Sequence, residues 1–171
     1  MDLSSLLDPI RRLPGYRALL QSIRQGDRLP PALALPRSAR VAVAAALAAD
    51  VRRPVLYLAA RQDRLLTLSQ ELAAWNPQLP TRIFPDPDPL FYEALPWGRR
   101  TRHGRVQSLA MLSAAANQGS PAGPVLLLAT ARAVLTRTLS PRQFAESSLR
   151  ILPGQPLQLE PLLQALLGIG Y

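Results

Sequence analysis

The chain has 171 residues, 48% of them hydrophobic, and a net charge of +9 in which all 20 basic residues are arginines. That length supports one domain with a real core, and short of two full ones. With no lysine, no cysteine and a single histidine, His103, the composition excludes a Walker-type lysine, Schiff-base chemistry, thiol nucleophiles, disulfides and zinc sites built on Cys or several His.

Met1 to Leu7 lacks the basic segment and apolar run of a secretory signal, and a cysteine-free chain fits a reducing compartment, so a cytoplasmic location is expected. "LPGYRALLQSIRQG" places Leu19, Leu20 and Ile23 at helical spacing, with Gly26 positioned to end the helix. "PPALALP" follows as a predicted short apolar strand bounded by prolines, after which Ser38 is expected to cap an alanine-rich helix running to about Asp50. That helix lacks a polar face, which implies burial against a sheet. "PVLYLAA" is a strand-length apolar run. From Gln62 to Trp75, Leu65, Leu68, Leu72 and Trp75 recur at steps of three and four, the signature of an amphipathic helix.

"TRIFP" predicts a further strand, and Pro85 to Pro96 a proline-rich surface loop. A helix is expected from about Arg99 to Ala116, leading through "NQGSPAGP" to a strand, "VLLLAT". The interruptions at Asn117, Gly119, Pro121, Gly123 and Pro124 keep this uncharged stretch from being a membrane helix. Helical turns follow from Ala131, then a helix start at "SPRQF" with Ser140 as N-cap and Pro141 at N1, a short strand "LRILPG", and a final helix over Glu160 to Leu167. Nearly all-apolar strands alternating with helices predict an α/β fold of three layers, a mostly parallel sheet flanked by helices. "LLQALLGIGY" ends on apolar residues, as in a chain cut before its natural continuation.

The stretch "LALPRSARVAVAAALAAD" has the strand, loop and helix pattern of a phosphate loop without its chemistry. Such a loop needs glycine amides to wrap the phosphates, a lysine for charge and Ser or Thr for magnesium. Here Pro36 removes an amide, no glycine or lysine is present, and Arg37, Ser38 and Arg40 make at most a weak anion site. The phosphate loop is degenerate, and no cofactor, metal or catalytic residue is assigned to this chain.

Several landmarks in order carry a family resemblance. They are "PRSARVAVAAALA", the proline-rich loop leading into "FYEALP", Arg105 in the next helix, and the terminal "LLQALLGIGY". From roughly Leu13 to Tyr171 the chain resembles the N-terminal segment of the bacterial transcription-repair coupling factor family (Mfd). The resemblance implies a RecA/P-loop-like fold similar to the first domain of the excision-repair helicase subunit UvrB, over residues 1–148. Residues 149–171 then open a truncated second domain, the one that binds UvrA. UvrB itself is the nearest competing assignment, but it keeps a working phosphate loop and a long aromatic hairpin, and the span from Phe84 to Arg105 is too short for that hairpin.

Proteins of the coupling family recognise RNA polymerase stalled at a lesion in DNA, displace it with an ATP-driven translocase and recruit UvrA for nucleotide excision repair. Their motor, with its ATP and Mg, lies in later domains, and a C-terminal domain masks the UvrA-binding surface at rest. The resemblance therefore implies a non-catalytic interaction module in DNA repair, with UvrA, its own C-terminal domains, RNA polymerase and DNA as partners of the whole protein and no membrane association. The UvrA-contact residues fall beyond Tyr171. The alternative is a UvrB-like or helicase-like domain that binds ATP or DNA in its own right.

Arg99, Arg100, Arg102 and Arg105, with His103, crowd cations near a helix N-terminus, against the helix dipole. A solvated surface, a phosphate contact or packing against another domain all remain open for them, while His103 reads as an ordinary exposed residue. Phe91, Tyr92 and Trp97 either stack on nucleic-acid bases or anchor the loop to the domain body. Asp86 and Asp88, set among Pro85, Pro87 and Pro89, are expected to be solvated turn residues.

Overall fold

The computed structural model describes residues 2–90, 92–117, 124–149, 151 and 153–168. The chain divides into two compact units, Met1–Thr136 and Arg137–Tyr171.

The first unit opens with a 3-10 turn, Ser4–Leu6, and helices α1 (Leu7–Arg12) and α2 (Pro14–Gln25). Pro14 starts α2 because its fixed φ and missing N–H suit the first turn, and Gly26 ends it in the left-handed conformation (φ 79°). Helix α3 (Arg37–Val51), strand β1 (Pro54–Ala59), helix α4 (Asp63–Trp75), strand β2 (Thr81–Phe84), helix α5 (Arg99–Asn117), strand β3 (Val125–Thr130) and helix α6 (Ala131–Leu135) complete it. The three strands form an open sheet in the order β1-β3-β2, and both pairs are parallel.

Strand β3 is central, and all six of its residues are buried. Its period-2 alternation builds two cores. Leu126 and Leu128 face Ala45, Ala46 and Ala48 of α3 and Leu65, Leu68 and Leu72 of α4, whereas Leu127 and Ala129 join Phe84, Ala133 and the α5 residues Leu109, Met111 and Leu112. The small alanine face of α3 lets that helix lie close to its neighbours, which accounts for its burial without a strong apolar stripe. A part-buried tie holds α1 and α2 to the end of α3: Arg11 and the Tyr16 hydroxyl both donate to the Asp50 carboxylate, the latter at 2.7 Å.

Three expectations are corrected among these elements. Pro30–Pro36 is not a strand, because three prolines remove ladder donors and the Leu35 N–H turns back onto the Leu33 carbonyl at 2.9 Å; Leu33 and Leu35 still pack on the first core. Ser38 is not the cap of α3: Pro36 is the N-cap, its extended backbone accepts from Ala39 N–H, and no side chain caps the helix. The loop after β2 is only partly a surface loop, since Asp86 and Pro87 are buried. Most of "NQGSPAGP", residues 118–123, lies outside the described residues.

In the second unit, α7 (Pro141–Glu146) begins with the expected Ser140 cap and Pro141 at N1. The Ser140 hydroxyl accepts from the Gln143 N–H and the Gln143 side chain accepts from the Ser140 N–H, a complete capping box. Helix α8 spans Leu159–Gly168. The strand expected at "LRILPG" does not form among its described residues: Leu149 and Ile151 are unpaired, and Pro153–Gly154 is a turn with Gly154 at φ 78°. Arg150 and Leu152 lie outside the described residues. An apolar run becomes a strand only when a neighbouring ladder takes its backbone groups.

No helix among the described residues is long and apolar enough to cross a membrane.

Candidate functional site

Parallel α/β sheets carry their ligands at the carboxyl ends of the strands, so the segments following β1, β2 and β3 are the natural place to look. The segment after β2 is tied down by its own polar groups. Asp86 accepts a hydrogen bond from the Thr130 hydroxyl at the end of β3, and Thr130 Oγ1 in turn accepts from Ala133 N–H at 3.2 Å, capping α6. Asp88 accepts from Gly98 N–H at 2.6 Å and from the Thr101 hydroxyl at 2.9 Å. Its carboxylate therefore sits at the start of α5, where the dipole favours an anion and where the adjacent arginines need one. Gly98 permits this approach: a Cβ there would lie 3.1 Å from Asp88 Oδ2. Of the two aspartates expected to be solvated turn residues, Asp86 is buried and Asp88 is exposed, and both accept hydrogen bonds within the fold.

Arg105 is the centre of the same assembly. Its side chain rises from α5 into the body of the domain, leaving the residue only 3% exposed. It donates to the carbonyls of Pro85 at 3.0 Å, Ala133 at 3.3 Å and Thr136 at 3.4 Å, while the guanidinium carbon lies 4.0 Å from the Phe84 ring centre and 4.8 Å from that of Trp97. Burial pushes the guanidinium below its ordinary pKa, and the Asp86 carboxylate opposes that shift. Five donors on a planar group allow one side chain to bind three carbonyls, one after β2 and two in α6 and its C-cap, and still stack on two rings.

The structure thus separates the four arginines grouped by sequence. Arg105 is interior, and Arg99, Arg100 and Arg102 are exposed, as is His103. Trp97 anchors the loop through Arg105; Tyr92 is exposed, and Phe91 lies outside the described residues.

Around the start of α3 the arrangement is different. A crevice of about 610 Å³ lies between the first turn of α3, the end of β1 and α4; Arg37, Arg40, Arg61 and Arg64 line it together with Asp63 and Glu71. Arg61 is engaged by Asp63, with guanidinium and carboxylate 2.8 Å apart. Arg40 donates to the Leu35 carbonyl at 3.4 Å, and neither Arg37 nor Arg64 has an ion pair among the described residues. Pro36 and Ser38, the other two residues singled out where the chain enters α3, are exposed. A smaller crevice of about 480 Å³ at the strand ends is bounded by Arg61, Asp63, Asp86, Thr130 and Arg132.

No family model matches the chain, and no curated protein matches it either.

Sequence reading missed the Arg105 assembly and the crevice beside β1. The repeated Asp-Pro pattern and a threonine at the end of the most apolar strand were the available signals for the first. The second depends on which strand lies at the sheet edge, and local sequence does not encode that.

Proposed function

We propose that the chain is a non-catalytic interaction module of the transcription-repair coupling type, an eroded nucleotide-binding scaffold of RecA-like ancestry beside a UvrA-binding domain. The start of α3 carries this reading. The segment entering the helix, residues 27–36, has neither glycine nor lysine, and its last residue is a proline with no N–H to offer a phosphate. Arginines stand nearby, but the segment has no glycine-rich run whose backbone amides could cradle a triphosphate. The buried Arg105 supports the same reading, because it locks the loop after β2 as part of the scaffold.

On this proposal ATP, Mg, DNA and RNA polymerase belong to other domains of a longer cytoplasmic translocase. The present module supplies a rigid support for UvrA recruitment and for autoinhibitory contacts with the C-terminal domains.

Two measurements test it. Calorimetry with ATP and Mg should give no binding at micromolar nucleotide; saturable micromolar binding abolished by Arg37→Ala would transfer the chain to the ATP-binding alternative. Disrupting the gene should abolish the faster removal of lesions from the transcribed strand, and an unchanged strand difference would sink the coupling reading.

A further inference from the structure

Strand β1 is an edge of the sheet, paired only with β3, and no backbone hydrogen bond reaches its other side among the described residues. In a parallel pair every second residue directs both its N–H and its C=O away from the partner, so β1 presents a row of alternating donors and acceptors. The two faces flanking that row differ. Val55, Tyr57 and Ala59 lie on the face covered by α3 and α4, beside the crevice lined by Arg37, Arg40 and Arg64. Leu56 and Leu58 lie on the opposite face, level with Leu127 and Ala129, and remain 46% and 56% exposed.

We propose that the β1 edge is a docking site for an extended acidic peptide that alternates carboxylate and apolar side chains. Added beside β1, such a strand pairs its backbone with the open edge. Its period-2 alternation sends the carboxylates toward the arginine-lined crevice and the apolar side chains alongside Leu56 and Leu58. The crevice carries four arginines against two acids, Asp63 and Glu71, so its charge complements an acidic strand. A free phosphate or a nucleotide answers only the arginines. It leaves the acceptor carbonyls of the edge and the two leucines without partners, which is why a polypeptide is favoured over both. The inference goes beyond the proposed function and does not depend on kinship with coupling factors.

The test is fluorescence anisotropy of the whole chain with a labelled short peptide alternating Glu and Val, alongside a Lys–Val peptide, a polyglutamate of equal length and inorganic phosphate as competitor. Saturable binding is expected for the Glu–Val peptide alone. It should weaken about tenfold in Arg40→Glu/Arg64→Glu, and also in Leu56→Thr/Leu58→Thr, while circular dichroism stays unchanged. In isotope-labelled protein the amide shifts on titration should concentrate in residues 54–60. The proposal is overturned if no peptide binds, if polyglutamate or phosphate competes equally well, if the shifts fall elsewhere, or if sedimentation shows the edge closed by a second copy of the chain.

Discussion

Arg105 and Trp97 are stacked, guanidinium carbon to ring centre 4.8 Å, so that α5 and the far end of the loop after β2 are held by one cation. The same guanidinium meets the near end of that loop through the Pro85 carbonyl and the turn after β3 through Ala133 and Thr136. One side chain therefore ties together the segments that follow β2 and β3.

Replacing it should be costly. Arg105→Ala removes the partner of three carbonyls and leaves Asp86 without the nearby positive charge, a loss of about 3 kcal/mol in unfolding free energy. Arg105→Lys should recover only part of it, since an ammonium cannot reach all three acceptors while stacking on Phe84 and Trp97. Urea unfolding of the two variants checks both expectations, and equal stability of Lys and Arg would contradict the assigned role.

At the start of α5, Asp88→Ala should cost about 1 kcal/mol by removing the acceptor for Gly98 and Thr101. Added salt should shrink the difference from the parent, because part of it is the attraction between the carboxylate and the arginine-rich helix start. A difference that does not change with salt would remove the electrostatic part of the explanation.

Alkaline pH provides a separate probe. Burial, followed by the hydrogen bond to Asp50, holds the Tyr16 phenol well above its ordinary pKa. The folded state keeps this proton longer than the unfolded chain, so the contribution is complete below about pH 10 and declines as the pH climbs further. Tyr16→Phe should cost about 1 kcal/mol at neutral pH through loss of the bond to Asp50 and should flatten the alkaline decline. Unfolding curves collected across that range would reveal a persistent slope if another group is responsible.

Helix α3 ends at Arg52 in the left-handed region, φ 52°, where a side chain is disfavoured and glycine is not. Arg52→Gly should raise the unfolding free energy by up to about 1 kcal/mol. A lower melting temperature in the variant would show that the Arg52 side chain makes a compensating contact.

The exposed arginines can be tested together. Arg99→Ala/Arg100→Ala/Arg102→Ala should lessen retention of duplex DNA at low ionic strength and lower the salt dependence of binding. Retention that persists at physiological salt and vanishes in this variant would make the helix start a DNA-binding surface.

Much of the architecture was legible locally. The helices over Pro14–Gln25, Asp63–Trp75 and Arg99–Asn117, the three apolar strands and the Ser140 capping box all rest on spacing and neighbouring residues. Such features arise from interactions within a few residues of one another, which is the range over which side-chain periodicity and capping act. The absence of lysine and glycine from the segment before α3 was equally plain, since folding cannot restore residues the chain lacks.

Other features had no local signature. Whether "PPALALP" pairs, whether Asp86 meets water or Thr130, and whether Arg105 joins its arginine neighbours or leaves them depended on segments far along the chain. Composition and periodicity marked the longer helices and the three paired strands, and the residue types the chain lacks excluded the chemistry that requires them. Tertiary structure alone decided the environment of each charge and which strand edge stayed open, because desolvation and pairing depend on what packs nearby in space.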